Sequence, residues 1–354
     1  MSKKDHLVNF RVENFKRFKE LSLENLGQFN LIVGDNNVGK TSALEALLYD
    51  VDRDRFSSNL LSALSFKNLG GKYVEGHFSF FINKNVLLQS KDREIVMSFK
   101  MNTIEASNLG SKVYSFTDQF IYDRYGNLAE WGIDYFSSNS EPSRGSTLPK
   151  RLDNDANTPV FECPFIPFSL SYGKELTDLF SIYFVRDSFA REQLLKSLTA
   201  LIPDIKNMSI DTHVSSFPVI LVEQNDMRSA IPLVSFGDGV LKLFRILLYI
   251  ILFRGQRLMI DEIDTGIHYS RMKDFWRTIL KAAEENEVQL FVTTHNQECI
   301  RYFKEALEER GMEHLQKEAR TITLVENYKT KAVKAITSSF EELEHAVEYG
   351  NEIR

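Results

Sequence analysis

The sequence predicts an α/β fold, in which a mixed sheet joins an antiparallel β subdomain and a helical insertion. Three observations predict it. A short apolar run over 29–33 leads into a turn bounded by glycines and then into an amphipathic helix. Two later apolar runs, 258–260 and 289–292, each end on polar residues, Asp261-Glu262 and Thr293-Thr294-His295. From about Tyr73 to Trp131 the pattern changes to short alternating runs separated by Gly and Asn, which reads as an antiparallel meander.

The turn is Gly34-Asp35-Asn36-Asn37-Val38-Gly39-Lys40-Thr41, the G-x-x-x-x-G-K-T pattern of a phosphate-binding loop. Gly34 and Gly39 permit torsions and close approaches that a Cβ would block. Successive N–H groups then point into the turn, and the following helix adds partial positive charge at its N-terminus. Gly34, Asn36, Asn37, Gly39, Lys40, Thr41 and Ser42 are therefore the expected phosphate-binding set. Lys40 is expected to reach the β- and γ-phosphates, and the Thr41 hydroxyl to ligate Mg²⁺. The alternative is a glycine turn with a surface lysine.

Composition sets the bounds. The chain of 354 residues suffices for one large α/β domain or two smaller ones, and 43% hydrophobic residues allow a sizeable core. Twenty-seven Phe point to aromatic packing rather than disorder. A net charge of −6 gives no global basic footprint, which leaves only a local groove for nucleic acid. Cys163 and Cys299 lack metal-type spacing and are expected to be buried thiols in a reducing compartment. The first residues hold no apolar signal core. The longest apolar run, Val240 to Phe253, is interrupted by Lys242 and Arg245 and is too short and too charged to span a bilayer. The expectation is a cytoplasmic protein with no membrane partner.

Before the phosphate loop, Leu7 to Val12 alternates as a strand. Asn14-Phe15-Lys16-Arg17-Phe18 forms a turn, and Leu21 and Leu23 continue a second strand. The basic pair of that turn suits either the base and ribose of a nucleotide or a solvated corner. The loop's helix is expected over Thr41 to Val51, with Ala43, Leu44, Leu47 and Leu48 on one face. Asp52 to Lys72 reads as a helical connector, and Ser137 to Pro159 as a polar linker. One short strand is expected within Val160 to Leu170. Helix is expected from Gly173 to Leu201, which Pro203 ends, and strand character from Ser209 to Val222. After His295, the pattern predicts a helix over Gln297 to Gly311 and a strand pair, Thr321 to Val325 and Ala332 to Thr337. A last helix opens on the capping box Ser339 and Glu342.

The second half of the site begins at Ser235-Phe236-Gly237-Asp238-Gly239, just before a helical pattern. A serine and glycines at a helix N-terminus suit an anion; the alternative is an ordinary helix cap. Asp261 and Glu262 close an apolar strand, where two adjacent acids are costly unless used. Beside a phosphate loop the first holds Mg²⁺ and the second polarises the attacking water. The alternative is a pair of turn residues. His295 ends its own strand and can hydrogen-bond a γ-phosphate, or serve as a structural histidine.

These motifs together resemble the ABC-type ATPases of the RecF, SMC and OLD kind. Gly34 to Thr41 matches the Walker A, and Ser235 to Gly239 resembles the signature. Leu258 to Glu262 matches the Walker B with its catalytic glutamate. Ile263 to His268 resembles the D-loop, and His295 the H-loop. Asn14 to Phe18, Asn30 to Thr41, and Asp261 to His268 read like OLD-type ATPase domains. Asp238 stands where glutamine or glutamate is usual, His268 where transporters carry aspartate, and Gln119 is the candidate Q-loop glutamine. Residues 60–170 match only loosely.

The resemblance implies a single ABC-type domain over 1–354. Its parts are an amino-terminal lobe over 1–135, a loop and helical insertion over 136–215, and a carboxy-terminal lobe over 216–354. It implies ATP and Mg²⁺ as cofactors, with Glu262 and His295 catalytic and Thr41 and Asp261 on the metal. Ser235, Gly237 and Gly239 would reach the ATP held by another copy, in a homodimer or higher homo-oligomer. The SMC coiled coil and the OLD nuclease are not seen in the sequence, so an effector in trans, a nuclease or toxin in anti-phage defence, is expected. The alternative is a RecF-like clamp on DNA. A transporter subunit is disfavoured by the D-loop sequence and the amino-terminal strands.

Overall fold

The computed structural model describes residues 6–48, 59, 86–90, 95–108, 111–122, 128–130, 163–168, 173–212, 218–225 and 227–349. The expected linker over 137–159 and nearly all of the connector over 52–72 lie outside them, as does the alternating run 77–82.

Among the described residues, the central sheet has six strands. Its middle is β3 (Phe29–Gly34), every residue of which is buried. On one side of β3 lie β13 (Gln289–Thr293), β12 (Arg257–Ile260) and β8 (Phe165–Ile166), all parallel to it. On the other lie β14 (Ala319–Glu326), parallel, and β15 (Val333–Ser338), antiparallel to β14. The continuous apolar runs of β3, β12 and β13 are what a parallel strand covered on both faces requires.

A second sheet, of six strands among the described residues, is antiparallel throughout. It starts from β1 (Phe10–Phe15) and β2 (Phe18–Leu23) and continues through β4 (Val86–Ser90), β5 (Ile95–Asn108), β6 (Ser111–Tyr122) and β7 (Leu128–Glu130). The meander read from the alternating runs is thus continuous with the first two strands, because β1 pairs with β4 as well as β2. The side chain of Gln119, in β6, lies outside the described ones. A third sheet joins β9 (Ile205–Asp211), β10 (Val219–Gln224) and β11 (Ile231–Pro232). The single stretch of strand character over 209–222 is therefore two paired strands.

The phosphate-loop helix, α1 (Lys40–Ala46), is shorter than its periodicity suggests. The helical stretch after 173 divides into α2 (Lys174–Leu179), a π-turn over Phe180–Phe184, and α3 (Ser188–Leu198). The wider turn lets Phe180 and Phe184 stack with centroids 6.1 Å apart. The Asp187 carboxylate caps α3, accepting from Phe189 and Ala190 N–H at 3.0 Å.

Three long helices cover the central sheet: α4 (Asp238–Leu252), α5 (Tyr269–Glu285) and α6 (Gln297–Leu307). Trp276 of α5 and Phe303 of α6 pack tilted at 4.9 Å over β3. The Trp276 indole N–H donates to the Cys299 carbonyl at 3.1 Å. Both cysteines are buried, and burial pushes both thiols up, Cys299 to about 12. The last helix, α7 (Phe340–Glu348), carries the predicted capping box. Among the described residues, no helix is long and apolar enough to cross a membrane.

Candidate functional site

Parallel strands β3, β12 and β13 end side by side, and their carboxyl ends deliver the predicted residues to one place. Gly34 closes β3 at φ 143°, and a Cβ there would lie 2.6 Å from the Leu324 carbonyl oxygen. Asn36 and Asn37 are exposed at the tip of the loop, and Asn37 takes a left-handed φ of 64°. Gly39, at φ 107°, precedes α1. Any side chain at Gly39 would collide with the Phe18 ring, 2.8 Å from its Cβ, and with Arg17 Cδ at 2.9 Å.

Lys40 folds back over the loop. Its ammonium donates to the carbonyls of Gly34 at 2.8 Å and Asp35 at 2.9 Å. Burial lowers its pKa, against Glu262, Asp261 and Asp35, which raise it. Thr41 and Ser42 follow on the first turn of α1.

The Thr41 hydroxyl donates to Asp261 Oδ2 at 2.9 Å, across 220 residues of sequence. Asp261 is only 3% exposed. Its other oxygen accepts from the Thr293 hydroxyl at 2.6 Å, and the same hydroxyl accepts from the Glu262 N–H at 2.8 Å. One threonine from β13 thereby fixes both acids. Glu262 itself takes a left-handed φ of 46°, which turns its side chain away from the strand line. His295 Nδ1 lies 3.9 Å from Glu262 Oε1.

Lys242 was visible in the sequence only as an interruption of an apolar run. In the fold its ammonium donates to the Glu262 carbonyl at 2.6 Å and the Thr265 carbonyl at 3.2 Å. The other interruption, Arg245, pairs with Glu175 of α2 at 2.5 Å. Thr294 donates to Asp264 at 2.7 Å and steadies the turn after Glu262. Thr293, Lys242 and Thr294 carried no motif in the sequence; the pairing of β12 with β13 reveals the two threonines, and the packing of α4 against the turn after β12 reveals Lys242.

Gly34, Asn36, Asn37, Gly39, Lys40, Thr41, Ser42, Asp261, Glu262 and His295 thus converge within one chain. Ser235, Gly237 and Gly239 belong elsewhere. A 3₁₀ turn over Leu233–Phe236 ends at Gly237, which has φ 86° and opens α4 without a side-chain cap. Ser235 and Gly237 are exposed. A Cβ on Gly239 would lie 3.3 Å from the Gly266 carbonyl, so the turn packs against the 263–268 loop. Among the described residues, no hydrogen bond ties Ser235, Gly237 or Gly239 to the phosphate loop.

The basic pair of the β1–β2 turn is anchored rather than free. Lys16 pairs with buried Glu45 of α1, and Arg17 with Glu326 at the end of β14.

Known proteins resemble this chain over most of its length. Residues 6–159, which include Lys40, match a family model described as an AAA ATPase domain. Residues 168–301, which include Ser235, Asp261, Glu262 and His295, match an AAA domain model named for the AbiEii toxin and Type IV TA systems. A Helicobacter pylori protein named ATP/GTP phosphatase is 24% identical over 340 residues, 87% of this chain and 90% of that protein. An uncharacterized protein of Methanocaldococcus jannaschii is 33% identical over 116 residues, 32% of this chain and 51% of its own. An SMC head solved with the C-winged helix domain of ScpA superimposes over 96% of this chain and 99% of that one, at TM-score 0.54 and 13% identity. An Smc head with an extended coiled coil, bound to the C-terminal domain of ScpA derived from Pyrococcus furiosus, gives 0.52 over 97% and 99%, at 11% identity. These two structures share the fold.

Proposed function

We propose, from the premise that this chain is an ABC-type AAA ATPase, that it is a nucleotide-operated switch. Two copies close over ATP, hydrolysis lets them part, and a separate effector reads the difference.

The reaction is transfer of the terminal phosphoryl group of ATP to water. Lys40 exchanges its bonds to the Gly34 and Asp35 carbonyls for β- and γ-phosphate oxygens, an anchor stronger for being charged. Glu262 accepts the proton of the attacking water, and His295, beside it, donates to the γ-phosphate. Thr41 and Asp261 suit Mg²⁺: a hydroxyl and a nearly buried carboxylate already 2.9 Å apart form a pair of hard oxygen donors. Bound there, the ion would neutralise charge on the phosphates.

The observation that carries the two-copy reading is the placement of the signature turn. Ser235 and Gly237 are exposed at the uncapped start of a 15-residue helix, and Gly239, on the first turn of that helix, packs against the 263–268 loop rather than the phosphate loop. A γ-phosphate held by a second copy would place an anion at this helix start, and would favour closure only while it is attached.

Among the described residues, the elements after His295 extend and cover the central sheet. The match to a model named for a toxin system supports an OLD-like ATPase controlling a nuclease or toxin in anti-phage defence.

The test is Glu262→Gln, which keeps the shape of the site and removes the proton acceptor. With ATP it is expected to elute from size exclusion as a dimer, and without ATP to return to the wild-type position. A variant that stays monomeric with saturating ATP ends the two-copy reading.

A further inference from the structure

We infer that Phe18 and Arg17, in the turn between β1 and β2, are positioning residues for the phosphate loop. They fix the backbone at Gly39, and with it the N–H groups at the start of α1 that would meet the phosphates. The inference rests on the nucleotide-binding reading above and adds to it two side chains that act through the loop rather than on the ligand.

Both glycines of the loop are seated by distant segments. At its start, the Leu324 carbonyl oxygen of β14 lies 2.6 Å from the Cβ position of Gly34. At its end, Phe18 Cζ lies 2.8 Å and Arg17 Cδ 2.9 Å from the Cβ position of Gly39. The Phe18 ring is 1% exposed, so it fills this space from the protein side and not from solvent. The two supports are joined to each other. The Arg17 guanidinium pairs with Glu326, in the same strand as Leu324, and Lys331 holds that carboxylate at 3.0 Å.

The turn that carries these residues is itself fixed. Phe15 pairs with Phe18 in the β1–β2 ladder, which leaves Lys16 and Arg17 as a two-residue connection, with Lys16 at a left-handed φ of 50°. Connections this short adopt few backbone conformations. Lys16 pairs with Glu45 of α1, which is 2% exposed. Separating that pair would leave a charge uncompensated inside the protein, so helix and turn stay together.

What holds the loop changes when phosphate arrives. Without it, the Lys40 ammonium ties the loop through the Gly34 and Asp35 carbonyls. The loop's own backbone adds one long bond, from the Val38 N–H to the Asp35 carbonyl at 3.4 Å. In the proposed reaction Lys40 gives up both carbonyls, and the loop loses that tie just when its geometry matters. The contacts of Phe18 and Arg17 do not involve Lys40 and survive the exchange. Gly39 sits at φ 107°, where glycine is permitted but not held by any local preference. The ring packed against it supplies the constraint that the glycine lacks.

The experiment measures binding of Mg·ATP and of inorganic tripolyphosphate to the full chain by calorimetry, for wild type, Phe18→Leu, Arg17→Ala and Lys40→Ala. A thermal melt of each ligand-free protein accompanies it. Leucine keeps an apolar side chain in the core but does not reach as far as the ring. Phe18→Leu is expected to weaken both ligands by the same factor, about tenfold, because small misplacements of binding groups are costly and the same N–H groups meet phosphate in each. Arg17→Ala, at a partly exposed position, is expected to weaken both about threefold, as loss of one ion pair allows. Unchanged affinity in Phe18→Leu, with or without a lower melting temperature, is the result for a residue that only packs the core, and it overturns the inference. A loss confined to Mg·ATP overturns it as well, since the turn would then touch base or ribose. Should Phe18→Leu not fold, Arg17→Ala decides by the same criteria. Lys40→Ala that binds both ligands like wild type refutes the phosphate-loop reading itself, so the two failures are told apart.

Discussion

Thr293 shows how much a single hydroxyl carries. It donates to Asp261 at 2.6 Å and accepts from the Glu262 N–H at 2.8 Å, and it is itself fully buried. Valine has nearly the same shape but leaves a buried carboxylate oxygen and a backbone N–H without that partner. Such loss costs more than the hydrogen bonds contribute, because neither group regains water. Groups that orient a metal's ligands typically affect activity by 10- to 100-fold when removed, so Thr293→Val is expected to slow hydrolysis about 10- to 100-fold. ATP affinity, which the proposed site draws mainly from Lys40 and the loop's N–H groups, should change little. A steady-state ATPase assay beside a binding isotherm checks the split; equal rates in the two proteins would deny Thr293 its part.

At the scale of the element, α4 is more than a core helix. Its amino end presents Ser235 and Gly237, while Lys242, on its second turn, holds the Glu262 and Thr265 carbonyls. A shift of the helix is thus passed to the backbone of the proposed water-activating acid. Burial pushes the Lys242 ammonium from its ordinary 10.5 down to about 8, although Asp264, Glu262 and Asp261 pull it upward. The sign of the consequence follows from proton counting. Between these two values the unfolded chain binds more protons than the folded one, so this residue's contribution to stability rises with pH. Lys242→Met should lose that slope. Thermal melts of the nucleotide-free proteins should show the difference, wild type minus variant, moving in favour of wild type from pH 8 to 10. A pH-independent difference would mean that the ammonium is not taken out of water at this position. In the same variant hydrolysis should slow more than ATP binding weakens, since Glu262 loses its backbone tether.

For the whole molecule, the proposed function requires that neither copy hold a complete site. Lys40→Ala disables the phosphate loop, and Ser235→Arg blocks the signature turn. Each alone should be inactive. Mixed together, heterodimers pair the intact loop of one with the intact turn of the other, and part of the ATPase rate should return. A mixture as inactive as its components places all the working parts in one chain. This measurement does not depend on the effector and can be made with purified protein.

The residues of the phosphate loop, the two acids after β12, and His295 were legible in the sequence. Their chemistry needs particular residue types at fixed spacing within a few positions of one strand end. The parallel strands were legible for a related reason: burial on both faces demands an unbroken apolar run, as in Phe29–Gly34. The capping box at Ser339 was as local, and formed as read. Tertiary structure alone decided that β1 pairs with β4, that the strand character after 209 divides into two paired strands, and that Thr293 and Lys242 brace the acids. Those facts depend on segments tens of residues apart meeting in one register, and a threonine or lysine carries the same local signal whether it faces water or a carboxylate. Sequence determined which groups could act on a phosphate; the pairing of strands and the packing of a helix against them decided which ordinary residues hold them in place.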